Sequence, residues 1–301
     1  MTDADTITVV VWNIEADGGP NGERRTPALD VLAGLEPDVV LQQEAKYSRA
    51  HGERLMRAAE KRLALRGFLS EPNPDLDTDI ATAVYVNPYL FHVAERRPVR
   101  KPWYLHPCHV QTYLGDCPVP LNLASFHLCF FDANQRLTEA SWLTRLAGPG
   151  MVTLAAGDTN SYPRLPETVT LPDWTTVTDH AHMVHRTYLE HGSRHTDIRP
   201  DGTLIDADYV DLARHAADHI RGISGEAALA PTAGFNKPGQ GGPQRIDRGY
   251  AFGGAESALI HVEVIDTNET REASDHALLL YRFSRSSLER QLTRDQVALC
   301  C

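Results

Sequence analysis

The sequence lacks any apolar run that approaches the roughly 20 residues needed to cross a bilayer as a helix. It also lacks the basic and apolar segments of a secretory leader, because the acidic start Met1–Thr6 leads directly into a strand-like apolar stretch. These two absences predict a protein without membrane insertion that works in the cytoplasm. Internal repeats and low-complexity tracts are absent as well, which argues against a fibrous or repeat architecture.

Cysteine is scarce, and its five positions form no Cys-x-x-Cys pair. The odd number favours reduced thiols over a disulfide framework. Cys108 and Cys117 are near enough in sequence to meet across a loop, so one disulfide stays open as an alternative. The closing pair Cys300-Cys301 is similar to a double prenylation signal, but no polybasic stretch precedes it, and a frayed tail is the preferred interpretation.

Positive charge is limited, because 29 Lys and Arg oppose 40 Asp and Glu and leave a net charge of −11. This balance argues against a sequence-independent grip on nucleic acid, which depends on cations that neutralise phosphates. The exclusion is partial, because carboxylates that hold Mg²⁺ do not oppose the substrate once the metal is bound. Arginine supplies most cations, which favours bidentate phosphate contacts. Lysine occurs at Lys46, Lys61, Lys101 and Lys237.

The rest of the composition is that of an ordinary globular protein. Hydrophobic residues make up 42% of the 301 residues and charged residues 23%, which is enough for a sizeable core. We predict one domain over residues 1–283, an elaborated loop region at 162–245 and a tail at 284–301 that forms a terminal helix packed outside. The loop region is rich in His, Asp, Gly and Pro, and loops of this kind often shape a substrate site.

Strand and helix patterns alternate along the chain, which predicts an α/β fold. Residues 7–13 and 38–43 are continuous apolar runs, as in strands buried on both faces, with a helix from Thr26-Pro27 to Gly34 between them. The other predicted elements are helices at 49–65, 133–146 and 207–220, a strand pair at 80–87 and 90–96 that turns at Asn87-Pro88, and strands at 119–128, 152–156, 257–265 and 277–283.

Polar residues recur where the predicted strands end. Taken singly, each fits a cap or a turn equally well, but α/β folds place their chemistry at strand ends. The motifs are Trp12-Asn13-Ile14, Gln43-Glu44, Ser125-Phe126-His127, Gly157-Asp158-Thr159-Asn160, Arg245-Ile246-Asp247 and Ser274-Asp275-His276.

In order and spacing these motifs resemble the endonuclease/exonuclease/phosphatase superfamily, which includes pancreatic deoxyribonuclease, apurinic endonucleases, neutral sphingomyelinases and inositol polyphosphate phosphatases. The resemblance runs from residue 7 to residue 283. It implies a four-layer αββα sandwich, in which two mixed β-sheets lie face to face with helices outside. It also implies a phosphoesterase, that is, a metal-dependent hydrolase acting on ester bonds.

The expected metal follows from the chemistry, because a phosphoester repels hydroxide and its hydrolysis needs a cation at the phosphate. Carboxylate and amide oxygens of Glu44, Asp275 and Asn13 suit Mg²⁺, with Mn²⁺ as a substitute. By resemblance, Glu44 is the principal ligand, Asn13 lies beside it, and Asp275 contributes directly or through a bound water. The alternative is that all three are ordinary polar strand ends.

The candidate catalytic residues come from the other motifs. Asp158 is the candidate base for the attacking water, and Asn160 is the neutral donor that orients water or phosphate. His276 must be protonated near neutral pH to stabilise developing charge, and by resemblance Asp247 is the carboxylate that raises its pKa. His127 donates to a phosphate oxygen or helps the leaving group, unless it is a satisfied core histidine.

Two further residue groups have alternative interpretations. Arg136, Arg245 and Arg248 are either phosphate contacts or surface ion pairs. A dense set of histidines lacks consistent cysteine or carboxylate partners, so a solvated loop is preferred over a zinc site. These histidines are His180, His182, His185, His191 and His195.

The combined expectation is a Mg²⁺-dependent phosphoester hydrolase, most simply a nuclease-like phosphodiesterase, because nucleic acid is the commonest substrate of the similar proteins. A phosphatase or phosphodiesterase for a small molecule is the first alternative, and the net charge favours it. A catalytically silent binding module on the same fold is the second. Several uncompensated carboxylates in one cleft speak against the silent module, because a scaffold has no physical need for them.

Overall fold

The computed structural model describes residues 5–19, 21–76, 78–164 and 171–293. Cys300 and Cys301 lie outside the described residues, so the interpretation of this pair stays a prediction. Within the described ranges, none of the helices combines the length and apolar character that a membrane span requires.

Fourteen strands and nine helices form the described part of the chain. The strands are β1 (Thr6–Asn13), β2 (Val39–Gln43), β3 (Arg66–Leu69), β4 (Ala83–Val86), β5 (Phe91–Pro98), β6 (Cys108–Leu114), β7 (Leu121–His127), β8 (Val152–Asp158), β9 (Thr187–Glu190), β10 (Ser193–Thr196), β11 (Val210–Asp211), β12 (Asp247–Phe252), β13 (Leu259–Ile265) and β14 (Leu278–Ser284). The helices are α1 (Arg25–Gly34), α2 (Ala50–Leu63), α3 (Ala133–Leu143), α4 (His180–Arg186), α5 (Arg199–Asp206), α6 (Leu212–His219), α7 (Gly225–Ala228), α8 (Asn268–Ala273) and α9 (Arg285–Thr293).

Two six-stranded sheets pack face to face, in the orders β13-β14-β1-β2-β4-β3 and β11-β12-β8-β7-β6-β5. Each sheet is mixed, because β1 runs parallel to β2 and β7 runs parallel to β8, whereas the other neighbours are antiparallel. Strands β9 and β10 form a separate hairpin. The predicted αββα sandwich of two mixed sheets is confirmed.

Alternate residues of β1 serve two different cores, which explains its continuous apolar sequence. Val9 and Val11 pack between the two sheets, whereas Val10 and Trp12 face the helices α1 and α8 on the outside. Side chains of a strand point alternately to opposite faces, so a strand that is covered on both sides has no polar face. This burial fixes the register, because a slip by one residue would exchange the two sets of side chains.

The predicted strand pair at 80–87 and 90–96 is wrong as a pair. Strand β4 belongs to the first sheet, where it lies between β2 and β3, whereas β5 pairs with β6 in the second sheet. The chain crosses between the sheets at Asn87, whose side-chain amide donates to Asp38 Oδ1 over 2.9 Å. Periodicity reports a strand and its buried face, but it does not report the pairing partner, and strands β3, β6 and β12 were not predicted at all.

The region predicted as an elaborated loop contains regular elements that reach the core. The predicted helix at 207–220 is shorter than expected, since α6 begins only after Asp211, which caps it by accepting from the backbone of Ala213 and Arg214. Leu212 and Ala216 of α6 are buried in the core between the sheets. A capping aspartate ends the extended segment and starts the helix, a signal that periodicity misses.

The described part of the tail and three cysteine side chains are also buried in the interior. Leu288 and Leu292 of α9 are fully buried against the core between the sheets, so this helix is not merely packed outside. Cys108, Cys117 and Cys129 are free and buried. The open alternative of a disulfide between Cys108 and Cys117 is therefore wrong.

Candidate active site

The ends of three neighbouring strands bring His127, Asp158 and Asp247 together. Asp158 closes β8 and lies in register with His127 on the parallel strand β7 and with Asp247 on the antiparallel strand β12. Side chains at one edge of a sheet are neighbours even when they are far apart in sequence. All three residues are at least 96% buried, so the backbone ladder holds them in a dry environment.

The first sheet contributes Asn13 and Glu44 at the facing edge. Asn13 Nδ2 lies 3.3 Å from Glu44 Oε1 and 3.3 Å from Asp158 Oδ2, so one amide joins the two sheets. The backbone amide of Ala16 donates to Glu44 Oε2 over 2.8 Å. Glu44 itself has a left-handed φ of 57°, and such uncommon backbone conformations cluster at functional sites.

Gly157 allows the close approach of β7 and β8 beside this cluster. A Cβ atom at this position would lie only 1.8 Å from the carbonyl oxygen of Phe126. No side chain larger than hydrogen fits there without separating the strands that carry His127 and Asp158. The glycine of the Gly157-Asp158 motif therefore has a packing reason.

Asp158 is held as an ionised carboxylate. The backbone amide of Asn160 donates to Asp158 Oδ1 over 2.8 Å, and His127 Nε2 lies 3.5 Å from Oδ2. Burial raises the pKa of Asp158, but the charges of His127, His276 and Arg186 outweigh burial and hold the pKa below its ordinary value. Asp158 is therefore able to accept a proton at neutral pH.

Asn160 and His127 are only partly engaged by the protein. Asn160 Nδ2 donates to the carbonyl oxygen of Leu128 over 2.9 Å, which uses one of its two amide hydrogens. His127 Nδ1 is buried and has no hydrogen-bond partner among the described residues. One ring nitrogen of His127 therefore has no hydrogen bond within the described residues, and the role of this histidine stays a prediction.

His276 and Asp247 form a buried pair behind Asp158. His276 Nδ1 lies 2.8 Å from Asp247 Oδ2, and Trp12 Nε1 donates to the carbonyl oxygen of His276 over 2.9 Å. Burial lowers the pKa of His276, but the charge and hydrogen bond of Asp247 outweigh burial and raise that pKa to about 10. The pair therefore keeps a proton at neutral pH.

Asp275 lies beside His276, with a lysine that the motifs did not include. Asp275 Oδ1 is 3.7 Å from His276 Nε2, and Asp275 Oδ2 is 2.6 Å from Lys237 Nζ. Within the described ranges, no hydrogen bond joins Asp275 to Glu44 or Asn13. The three predicted metal ligands therefore do not lie together: Asn13 contacts Glu44, whereas Asp275 is paired with Lys237.

The buried oxygen donors fit a hard cation. Asn13 Oδ1 and Asp247 Oδ1 are buried without a hydrogen-bond partner among the described residues, and Glu44 lies next to Asn13. Mg²⁺ prefers such carboxylate and amide oxygens. Asp158, Asp247 and His276 also offer ligand atoms within 4.8 Å of one another.

The serines of two motifs hold the backbone of the site. Ser274 Oγ donates to the carbonyl oxygen of Asn13 over 2.6 Å and accepts from the amide of His276 over 3.2 Å. Ser125 Oγ donates to the carbonyl oxygen of Gln42 and accepts from Gln43 Nε2, which joins β7 to β2. A small hydroxyl at a strand end was the only sequence signal for these supporting roles.

The three arginines considered for phosphate binding are all buried inside the fold. Arg245 Nη2 donates to both carboxylate oxygens of Asp211, each over 2.7 Å, and Arg136 contacts Asp197 over 2.9 Å. Arg248 binds hydroxyl and carbonyl groups at residues 159 and 161. Neither a surface ion pair nor a phosphate contact describes them, because each is at least 97% buried.

Two mixed sheets that lie face to face, with helices outside, define a four-layer αββα sandwich. The polar cluster that forms the candidate site lies at the facing edges of these sheets, where strands end. No family model matches the sequence, and no curated protein matches it. Solved structures do match, and they include proteins of the endonuclease/exonuclease/phosphatase family. The chain has the endonuclease/exonuclease/phosphatase fold.

Three of these structures illustrate the likeness. A humanized TDP2 from D. rerio is 14% identical, with a TM-score of 0.61, and the match covers 93% of this chain and 99% of that chain. TDP2 from D. rerio complexed with single strand DNA product is 15% identical, with a TM-score of 0.60, and coverages of 92% and 98%. A family protein from Bacteroides thetaiotaomicron is 12% identical, with a TM-score of 0.60, and coverages of 92% and 94%.

Proposed function

We propose that this chain is a Mg²⁺-dependent phosphoester hydrolase, and most simply a nuclease-like phosphodiesterase. The observation that carries the proposal is the buried cluster of Asp158, Asp247 and His276, whose carboxylate oxygens and ring nitrogen lie within 4.8 Å of one another. In this cluster the pKa of Asp158 is lowered and the pKa of His276 is raised. A base and an acid whose pKa values are driven apart by their surroundings are typical of acid–base catalysis.

Glu44 and Asn13 would hold the metal, and Asp275 would join them directly or through a water molecule. Mn²⁺ is the expected substitute, because it accepts the same oxygen ligands. When bound, the metal supplies positive charge at the phosphate and polarises it for attack. The unpartnered Asn13 Oδ1 beside Glu44 supports this assignment.

The side chains of the chain then divide the remaining work. Asp158 accepts the proton of the attacking water, and Asn160 uses its second amide hydrogen to orient that water or a phosphate oxygen. His276, fixed by Asp247 through Nδ1, presents Nε2 to the charge that develops on the phosphate. His127 donates to a phosphate oxygen or to the leaving group.

A nucleic acid is the favoured substrate class. The structural neighbour from D. rerio is complexed with single strand DNA product. Phe130 and Phe131 follow β7 and are 45% and 39% exposed, and exposed aromatic rings can stack on bases. The net charge of −11 favours a small phosphoester instead. Buried free thiols at Cys108, Cys117 and Cys129 support the cytoplasm as the compartment.

The test is a substrate panel with one site variant. Supercoiled DNA, single-stranded DNA, RNA, nucleotides, and sugar and lipid phosphoesters are each offered with Mg²⁺, with Mn²⁺ and with chelator. We expect turnover of nucleic acid that requires the metal, and Asp158→Asn should lower it by about 10³-fold or more while circular dichroism stays unchanged. Equal turnover by the variant and the wild type would exclude Asp158 as the base. If no substrate were turned over in a metal-dependent way, the enzyme proposal would fail and the catalytically silent binding module would be the remaining interpretation.

A further inference from the structure

Arg186 is a buried cation near the site that the proposed mechanism does not use. It is the last residue of α4 and is only 9% exposed. Its Nε and Nη1 atoms have no hydrogen-bond partner among the described residues. Burying a charge without a partner is costly, and native proteins seldom accept this cost without a function.

The surroundings of Arg186 contain more positive than negative charge. The charge of Arg186 lowers the pKa values of both Arg136 and His182, so it lies close to other basic groups. The carboxylate of Asp197 is already shared by Arg136 and Arg199, over 2.9 and 2.8 Å. The other carboxylate that Arg186 influences is Asp158, whose pKa it helps to lower. Within the described residues, no salt bridge neutralises the guanidinium of Arg186.

A turn that carries a second cation is joined to the start of α4. The backbone amides of Thr178 and Asp179 donate to the carbonyl oxygen of Gly239 over 3.1 and 2.9 Å. Gln240 Nε2 donates to Asp179 Oδ2 over 2.9 Å. The same turn presents Lys237, whose Nζ contacts Asp275 over 2.6 Å. Helix α4 and the 237–240 turn thus form one connected unit that carries His182 and Arg186 and places a cation at Asp275.

His182 lies on the same helix, one turn before Arg186. Its Nε2 is buried without a hydrogen-bond partner among the described residues. Burial, together with the positive charges of Arg186 and Lys237, lowers the pKa of His182 to about 4. His182 is therefore neutral at physiological pH, and its ring nitrogens can donate to or accept from a ligand.

We propose that Arg186, Lys237 and His182 form an anion subsite next to Asp275 that binds a phosphate group of the substrate. The subsite deepens the proposed phosphoesterase function and rests on it. A phosphate suits the donors, because a guanidinium offers several N–H groups in a planar fork. The ligand would also provide the negative charge that this region lacks.

The experiment measures binding of inorganic phosphate to the purified protein in the presence of chelator, by isothermal titration calorimetry. We expect Arg186→Met to weaken phosphate binding by about tenfold or more, because a charge-assisted hydrogen bond is lost. Arg186→Lys keeps the charge but not the fork, so its affinity should fall between the two. The melting temperature of Arg186→Met should stay level or rise, because an unpaired buried cation is replaced by an apolar chain.

The matched control is Arg245→Met, which removes a buried arginine with a full salt bridge to Asp211. This variant should melt earlier but bind phosphate within about twofold of the wild type. Unchanged phosphate binding in Arg186→Met, no saturable binding by the wild type, or a loss of stability equal to that of Arg245→Met would overturn the subsite. Because no turnover is measured, phosphate binding that depends on Arg186 in a chain without metal-dependent activity would refute the proposed function alone.

Discussion

The two sides of the candidate site are built differently. On the strand side, His127, Asp158 and Asp247 sit in register on three adjacent strands of one sheet. On the other side, Arg186 ends a short helix and Lys237 lies on an exposed turn. The backbone ladder orients the groups of the strand side, whereas the helix and the turn supply cations that the protein itself leaves unpaired or half paired. Rigid elements position chemistry with precision, and irregular segments adjust what binds.

The difference teaches how the charges of the site are balanced. Asp158 is surrounded by His127, His276 and Arg186, which together outweigh its burial. Glu44 and Asn13 face it from the other sheet and carry oxygen donors for a cation. The strand side therefore collects negative charge and oxygen ligands, and the segment side collects positive charge. A phosphate with its metal complements both sides together.

The largest effect should come from Gly157→Ala, which adds one methyl group on the strand side. The added Cβ atom would lie 1.8 Å from the carbonyl oxygen of Phe126, so β7 and β8 would have to separate. We expect the free energy of unfolding, measured by urea denaturation, to fall by about 3 kcal/mol or more. Gly192→Ala in the β9–β10 hairpin is the control, because its added Cβ meets nothing within 4 Å and only its φ of +81° adds strain, about 1 kcal/mol. If the two variants lost the same free energy of unfolding, this result would contradict the view that the strand side is the more rigid one.

The next effect concerns the metal. Glu44→Gln removes the carboxylate that Asn13 contacts, and we expect phosphoester turnover to fall about 10²-fold and the required Mg²⁺ concentration to rise. Turnover is measured as a function of Mg²⁺ concentration. The control is Glu15→Gln, a carboxylate that pairs with Arg24 and is 44% exposed, which should change turnover less than about twofold. Wild-type metal dependence in Glu44→Gln would remove Glu44 from the metal site.

Asp247→Asn tests the histidine pair through the pH profile. In the wild type, the raised pKa of His276 gives stability that is complete below its ordinary value of 6.5 and is lost as the pH rises through about 10. Without the Asp247 carboxylate, burial dominates and lowers the pKa, so the alkaline limb of kcat/KM should move to lower pH. The rate should fall about 10- to 100-fold. In a protein that already carries His276→Asn, Asp247→Asn should have no further effect on the rate. If the alkaline limb of kcat/KM did not move in Asp247→Asn, Asp247 would not set the pKa of His276.

The smallest effect should come from the turn. Lys237→Met removes the ammonium that lies 2.6 Å from Asp275 Oδ2, which frees that oxygen for a cation. Because the lysine is exposed, we expect Mg²⁺ to bind only about two- to fivefold more tightly, measured by calorimetry without substrate. Lys101→Met, at another exposed lysine, is the control and should leave Mg²⁺ affinity unchanged. Weaker Mg²⁺ binding in Lys237→Met would mean that the lysine organises Asp275 rather than competing for it.

Much of the fold could be predicted because its signals are local. The continuous apolar runs of β1, β2, β7, β8 and β14 report burial on both faces, and the polar residues at their ends report the site edge. The pairing of β4 and β5 could not be predicted, because neighbouring strands in sequence here belong to different sheets. The surroundings of the arginines escaped prediction for a similar reason, since the partner of Arg245, Asp211, is 34 residues away in sequence.

By itself the sequence determined the buried strands and the polar residues at Asn13, His127, Asp158, Asp247 and His276, because strand periodicity and strand ends are written in adjacent residues. The two-sheet sandwich was implied by the family resemblance that the motifs carry. Only the tertiary structure decided that Asp275 pairs with Lys237, 38 residues away, and that the Nε and Nη1 atoms of Arg186 are buried without a hydrogen-bond partner in the described part of the chain. Charge balance depends on distances through space, and these follow from how α4 and the 237–240 turn pack over the sheets.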